Sequence, residues 1–182
     1  HVRSRRQRQM CIRDSYILCK RSSEMDELKF AVIGNPVSHS LSPDIHLFFA
    51  SQFQLERYTY NKIKSNENDF ERDINDFFKN GGVGLNVTVP FKGLAYNLCD
   101  ELDQSAGLCK SVNTVLIDSG KLIGHSTDGQ GLIDDFLHKE ITLEDSKILI
   151  IGAGGSAASI ISSLLFHGKI KKISILNRTK SN

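Results

Sequence analysis

The sequence is poor in the features that mark several common classes of protein. No apolar run approaches the roughly 20 residues of a membrane-spanning helix. Runs such as Ile148-Leu-Ile-Ile151 have only the length of a buried strand. The four cysteines, Cys11, Cys19, Cys99 and Cys109, show no C-x-x-C spacing, and nothing resembles a secretory signal. Reduced thiols in a cytoplasmic protein are therefore expected. No two histidines stand at H-x-x-x-H spacing, so no metal site is expected. Internal repeats and low-complexity tracts are absent as well.

What is present is an ordinary globular composition, 40% apolar and 24% charged over 182 residues. The net charge of +2 hides an asymmetry. Residues 1–21 carry Arg3, Arg5, Arg6, Arg8, Arg13, Lys20 and Arg21 against Asp14 alone, a net of +6 that leaves −4 for the rest. A slightly acidic body argues against nucleic-acid binding. The basic segment has no apolar periodicity and the chain opens on His1. Residues 1–24 thus read as a non-native or untranslated extension with Met25 as the natural start, a transit peptide or basic arm being the alternative. At the other end, a strand pattern over 171–177 stops five residues before the terminus. A parallel sheet ending on its second strand would leave an exposed edge, so the chain reads as truncated.

Strands and helices alternate between these ends, which predicts α/β architecture throughout. Strand 28–33 leads through Gly34-Asn-Pro36 to a helix over 43–53, with Ser42 as N-cap and Pro43 at its first position. Strand 58–63 precedes an amphipathic helix over 67–79 that carries Phe70, Ile74, Phe77 and Phe78 on one face. Strand 83–89 and a helix over 91–98 follow. A hairpin is expected over 111–124 and a bridging helix over 128–139. A second unit then comprises strand 147–151, a glycine turn, helix 156–167 and strand 171–177.

Two stretches carry chemistry. In the first, Gly81 to Lys92, alternation puts Asn86 and Thr88 on one strand face, and Pro90 ends the ladder because it has no N–H to donate. Lys92 follows at the mouth of that turn, near a helix start whose dipole disfavours its charged form. The usual reading of such a lysine is a solvated surface charge; the functional one is a general acid/base. The second stretch, Gly152-Ala153-Gly154-Gly155-Ser156-Ala157, follows a buried strand and opens a helix, fitting the G-x-G-x-x-A form of the dinucleotide fingerprint. Gly152 permits the tight turn, Gly154 the approach of a pyrophosphate, and Ala157 close packing of helix on strand. The end of the next strand reads Asn177-Arg178-Thr179, with no carboxylate to repel a 2′-phosphate and a guanidinium able to pair with one, so NADP is expected over NAD.

Five motifs in order make the chain from about Phe30 to Thr179 resemble the shikimate dehydrogenases. They are Ile33-Gly-Asn-Pro-Val-Ser-His-Ser-Leu-Ser-Pro43, Asn86-Val-Thr-Val-Pro-Phe-Lys92, Ser111-Val-Asn-Thr114, Ser126-Thr-Asp-Gly129, and Gly152-Ala-Gly-Gly with Asn177-Arg-Thr179. The resemblance implies an N-terminal α/β shikimate-binding domain over 25–127, followed by the start of a Rossmann NADP-binding domain over 128–182. It also implies NADPH-dependent, reversible reduction of 3-dehydroshikimate to shikimate in the chorismate route to aromatic amino acids. Lys92 and Asp128 take the places of the family's catalytic pair, and Ser40 and Ser42 those of its carboxylate-binding serines. Asn86, Thr88 and Asn113 fall on its ring-hydroxyl pocket. Asp128 also stands where it could cap the 128–139 helix. The cofactor set carried over comprises Gly152, Ala153, Gly154, Gly155, Ser156, Ala157, Asn177, Arg178 and Thr179. Ser126 departs from the family pattern, which has asparagine there.

The resemblance implies small-molecule partners only, in a monomer or homodimer, and a fragment inactive as it stands. Two alternatives remain open at this stage: a quinate/shikimate dehydrogenase using NAD, and a non-catalytic shikimate-binding regulatory relative.

Overall fold

The computed structural model describes residues 27–179, so the expected basic extension over 1–24 and the start at Met25 lie outside it. The elements are β1 (Leu28–Gly34), α1 (Ser42–Gln52), β2 (Tyr58–Lys64), α2 (Phe70–Lys79), β3 (Gly82–Val87), α3 (Lys92–Leu98), β4 (Glu101–Leu102) and α4 (Gln104–Cys109). There follow β5 (Thr114–Asp118), β6 (Lys121–His125), α5 (Asp128–His138), β7 (Lys147–Ile151), α6 (Gly155–His167) and β8 (Lys172–Leu176).

A six-stranded mixed sheet runs in the order β2-β1-β3-β5-β6-β4. β2, β1 and β3 are parallel, β5 pairs antiparallel with both β3 and β6, and β4 is parallel to β6. β1 has the near-continuous apolar run of a strand covered on both faces: Ala31, Val32 and Ile33 are all buried. On one side lies the main core, where Ile33, Leu85 and Val87 of the sheet meet Phe70, Ile74 and Phe78 of α2 and Phe91 and Ala95 at α3. The spacing of four between Phe70, Ile74 and Phe78 puts all three on one helix face. β7 and β8 form a separate parallel pair, with Ile133 of α5 and Leu164 of α6 closing a second core beneath it.

Local chemistry moves several element boundaries from where the sequence places them. α2 begins at Phe70 instead of 67, because the Asn66 carboxamide oxygen accepts the amides of Asn68 and Asp69 and holds that stretch as a turn. β3 ends at Val87, two residues early, although the Thr88 amide still donates to the Ile33 carbonyl. The hairpin strands begin at Thr114, and their two-residue loop, Ser119-Gly120, has φ of 51° and 80°, the positive pair of a type I′ turn. Ser42 is not the N-cap: it is the first residue of α1 and its amide donates to the Ser40 hydroxyl. β4 and α4 are elements the periodicity does not reveal. Asp103 caps α4 by accepting the Ala106 amide at 2.6 Å.

The parallel strands β1 and β3 both end at one edge, and the turns after them are tied together where the Asn35 amide donates to the Val89 carbonyl. Phe91, 1% exposed and packed at 4.9 Å against the Phe70 ring, anchors the second of these turns just before Lys92. Phe91→Ala should cost about 3–5 kcal/mol, read as a lowered urea midpoint with unchanged slope.

Candidate active site

Lys92 is the first residue of α3, so the fold delivers its side chain to the C-terminal edge of β3, where α/β sheets bind ligands. Its Nζ donates to Asp128 Oδ2 at 2.5 Å and to Ser156 Oγ at 2.8 Å. Asp128 opens α5 at the end of the hairpin, 36 residues away in sequence. The cap position of α5 belongs to Thr127, and the Asp128 carboxylate makes no capping bond. Oδ1 instead accepts from Asn113 Nδ2 at 2.5 Å, while Oδ2 takes Lys92 and the Ser156 hydroxyl, the latter at 3.0 Å. Burial alone would raise the Asp128 carboxyl. Hydrogen bonding and Coulomb attraction from Lys92, with bonds from Asn113 and Ser156, outweigh it and hold the group below the usual aspartate value of 3.8.

The hydroxyl-binding candidates form a connected layer behind this pair. Asn113, nearly buried, also donates to Thr127 Oγ1 and accepts the Thr127 amide at 3.1 Å. Asn86 on β3 donates to Thr114 Oγ1 at 3.1 Å and accepts from the Tyr60 hydroxyl at 2.6 Å. Tyr60 is a site residue that the sequence reading misses. Its phenol is pushed well up by burial, with Tyr58 adding to the rise and a hydrogen bond with Ser42 opposing it. The His46 ring stacks on it at 4.3 Å, and burial lowers the histidine. The period-two pattern of 58–63 could have put Tyr60 on the buried face, but nothing in it points toward Asn86. Ser40 and Ser42 share a hydroxyl–hydroxyl bond of 3.1 Å at the start of α1. Thr88 stands with its methyl against Gly34, where any Cβ would collide with it.

The glycine turn has the form the fingerprint requires. Gly152 sits at φ +112°, and an added Cβ there or at Gly154 would meet nothing within 4 Å, so the backbone is open to a ligand. α6 starts at Gly155, one residue earlier than expected. β8 pairs in register beside β7, which brings Asn177 and the exposed Arg178 to the same edge as the turn. Asn177 Nδ2 donates to the Thr179 carbonyl at 2.7 Å. These residues fit an anionic dinucleotide: free amides at a helix start, an exposed guanidinium, and no carboxylate from 177 to 179.

Behind Asp128, Ser126 donates to the Ser159 hydroxyl at 2.8 Å, and Ser159 accepts the Gly129 amide at 3.1 Å. The departure at Ser126 therefore does structural work, tying α5 to α6.

Residues 32–115 match the shikimate dehydrogenase substrate binding domain. The chain is 48% identical over 151 residues to the NADP(+) shikimate dehydrogenase of Legionella pneumophila, covering 83% of this chain and 56% of that protein. The corresponding enzyme of Acinetobacter baylyi is 43% identical over 152 residues, covering 84% of this chain and 57% of its own length. Over most of its length the chain is similar to the shikimate dehydrogenases. The crystal structure of shikimate 5-dehydrogenase from Thermus thermophilus in complex with NADP(H) and shikimate superposes with a TM-score of 0.77 at 31% identity, over 85% of this chain and 57% of that one. The α/β fold expected from the motifs is that of the family. The chain thus spans little more than half the length of the relatives it matches. Among the described residues, no cluster of three His, Cys, Asp or Glu could hold a metal, and no helix is long and apolar enough to cross a membrane.

The α5–α6 seam is close: a Cβ on Gly129 would run into the Ser159 carbonyl and the Ser163 hydroxyl. Gly129→Ala should destabilise the chain by about 1–3 kcal/mol in a denaturant titration. Asp128 gives a pH prediction with a definite sign. Its folded pKa lies below 3.8, so its stabilising contribution is complete above that value and disappears as pH falls through the lowered one. Urea midpoints of Asp128→Asn should fall below those of the wild type at neutral pH, and the two curves should converge in acid.

Proposed function

We propose that the protein is an NADP-dependent shikimate dehydrogenase that interconverts 3-dehydroshikimate and shikimate on the chorismate route to aromatic amino acids. In this reading residues 25–127 form the shikimate-binding domain and residues 128–182 begin the NADP-binding domain. The observation that carries the proposal is the contact of Lys92 with Asp128, two partly buried charges brought from separate elements to the strand edge beside a glycine turn.

NADP supplies or accepts the hydride. The chain's own residues do the rest. An ammonium has three N–H donors. Asp128 and Ser156 engage two from Lys92, leaving one for the carbonyl oxygen of 3-dehydroshikimate. Proton donation from Lys92 neutralises the charge that develops there as hydride arrives, and the reverse reaction returns the proton to Lys92. Asp128 aligns the ammonium and accepts from a ring hydroxyl. Asn86, Asn113 and Thr88 bind the remaining hydroxyls, and Ser40 and Ser42 take the substrate carboxylate at the start of α1. Gly152 to Ala157 cradle the diphosphate, with Asn177 to Thr179 flanking the adenosine ribose. The exposed Arg178, with no acidic neighbour from 177 to 179, supports NADP over NAD.

The test pairs a binding assay with turnover, using a protein of the relatives' full length that carries this chain. The wild type should reduce NADP+ in the presence of shikimate. Lys92→Ala should lower kcat by about 10²–10⁴-fold while shikimate binding by calorimetry stays within a few-fold. Retained turnover in the variant would favour a non-catalytic role for Lys92, and faster reaction with quinate and NAD+ would move the assignment to a quinate dehydrogenase.

A further inference from the structure

Ser156 falls within the glycine turn's helix start, yet its side chain faces the acid/base pair. Its hydroxyl lies 2.8 Å from Lys92 Nζ and 3.0 Å from Asp128 Oδ2, and those partners stand 64 and 28 positions away in sequence. A hydroxyl has one proton to give and lone pairs to receive. It therefore donates to the carboxylate, accepts from the ammonium, and closes a ring of three bonds with the direct Lys92–Asp128 contact.

Two further features hold the ring closed. Gly155 lets the start of α6 come this near, since a Cβ there would sit 2.7 Å from Ser111 Oγ and 3.3 Å from Lys92 Cβ. Three residues on from Ser156, on the same helix face, Ser159 takes the Gly129 amide and the Ser126 hydroxyl. α6 thus presents a seam of two serines to the start of α5. One is fixed in the protein interior and the other touches the charged pair.

We propose that Ser156 is a positioning residue that fixes the orientation of the Lys92–Asp128 pair and links it mechanically to the dinucleotide turn. This rests on the reading of Lys92 as the acid/base group, but its test does not need turnover. Without the hydroxyl, Lys92 and Asp128 keep their direct bond and lose the brace that sets its direction. The carboxylate also loses one of the three donors it accepts.

The experiment follows the Asp128 carboxyl by NMR in the chain labelled with ¹³C-aspartate, through an acid titration without ligand. Lys92 is the only charged side chain bonded to this carboxylate among the described residues. Ser156 is exposed and helical, so Ser156→Ala is expected to fold. Its Asp128 midpoint should shift upward, and Ser156→Thr, which restores a hydroxyl, should return it toward the wild-type value. An unchanged midpoint in Ser156→Ala overturns the proposal. So does a rise that threonine leaves uncorrected, which would assign the effect to packing. Shikimate calorimetry on the wild type reads the functional assignment separately, so either can fail without the other.

Discussion

An ammonium and a carboxylate can be brought together out of water only if the donors and lone pairs they lose there are replaced. Lys92 and Asp128 meet that condition through neighbours drawn from the whole chain. Asn113 from the strand connection and Ser156 at the start of α6 occupy two more of the carboxylate's acceptor sites, and the same serine takes a second lysine proton. Among the described residues, no buried side-chain nitrogen or oxygen lacks a partner. The positions of β3, the hairpin and the start of α6 all have to agree for this to hold. The pair is therefore as much a statement about the fold as about chemistry.

The elements that carry Lys92 and Asp128 take their places for different reasons. Lys92 follows Phe91, whose ring is locked into the main core, so the first turn of α3 has little freedom. Asp128 begins a helix held from behind by hydroxyls and a glycine. Ser126, Ser159 and Gly129 let α5 and α6 approach more closely than larger side chains would allow. Lys92 thus stands next to the apolar core of one sheet, and its partner against a polar seam beside another.

Much of this was legible in the residues. The strands over 28–33 and 147–151 announce themselves by their apolar residues, that over 58–63 by its Tyr-Thr-Tyr pattern, and the glycine fingerprint by its place between strand and helix. Lys92 and Asp128 could be named only through the family's motifs. Their convergence depends on sheet order, which no local pattern encodes. Two of the boundaries that shifted lie where a side chain takes a backbone amide, as Asn66 does ahead of α2 and Ser40 at the start of α1. β4 and α4 escaped because two and six residues are too few to establish a period, although Asp103 was a readable cap. Tyr60 escaped for another reason: alternation can place a residue on a face but cannot say which hydroxyl crosses to the next strand but one.

Gly155 occupies a position the dinucleotide fingerprint leaves unconstrained, and its missing methyl is filled by Lys92 and Ser111 of the same chain. Under the proposed function, the four-residue Gly-Ala-Gly-Gly turn therefore answers to two clients, the coenzyme on one side and the Lys92 side chain on the other. Grafting a loop from another Rossmann protein to change coenzyme preference would respect the first and offend the second. Any redesign of specificity in this scaffold has to leave that glycine alone and work from the Arg178 end instead.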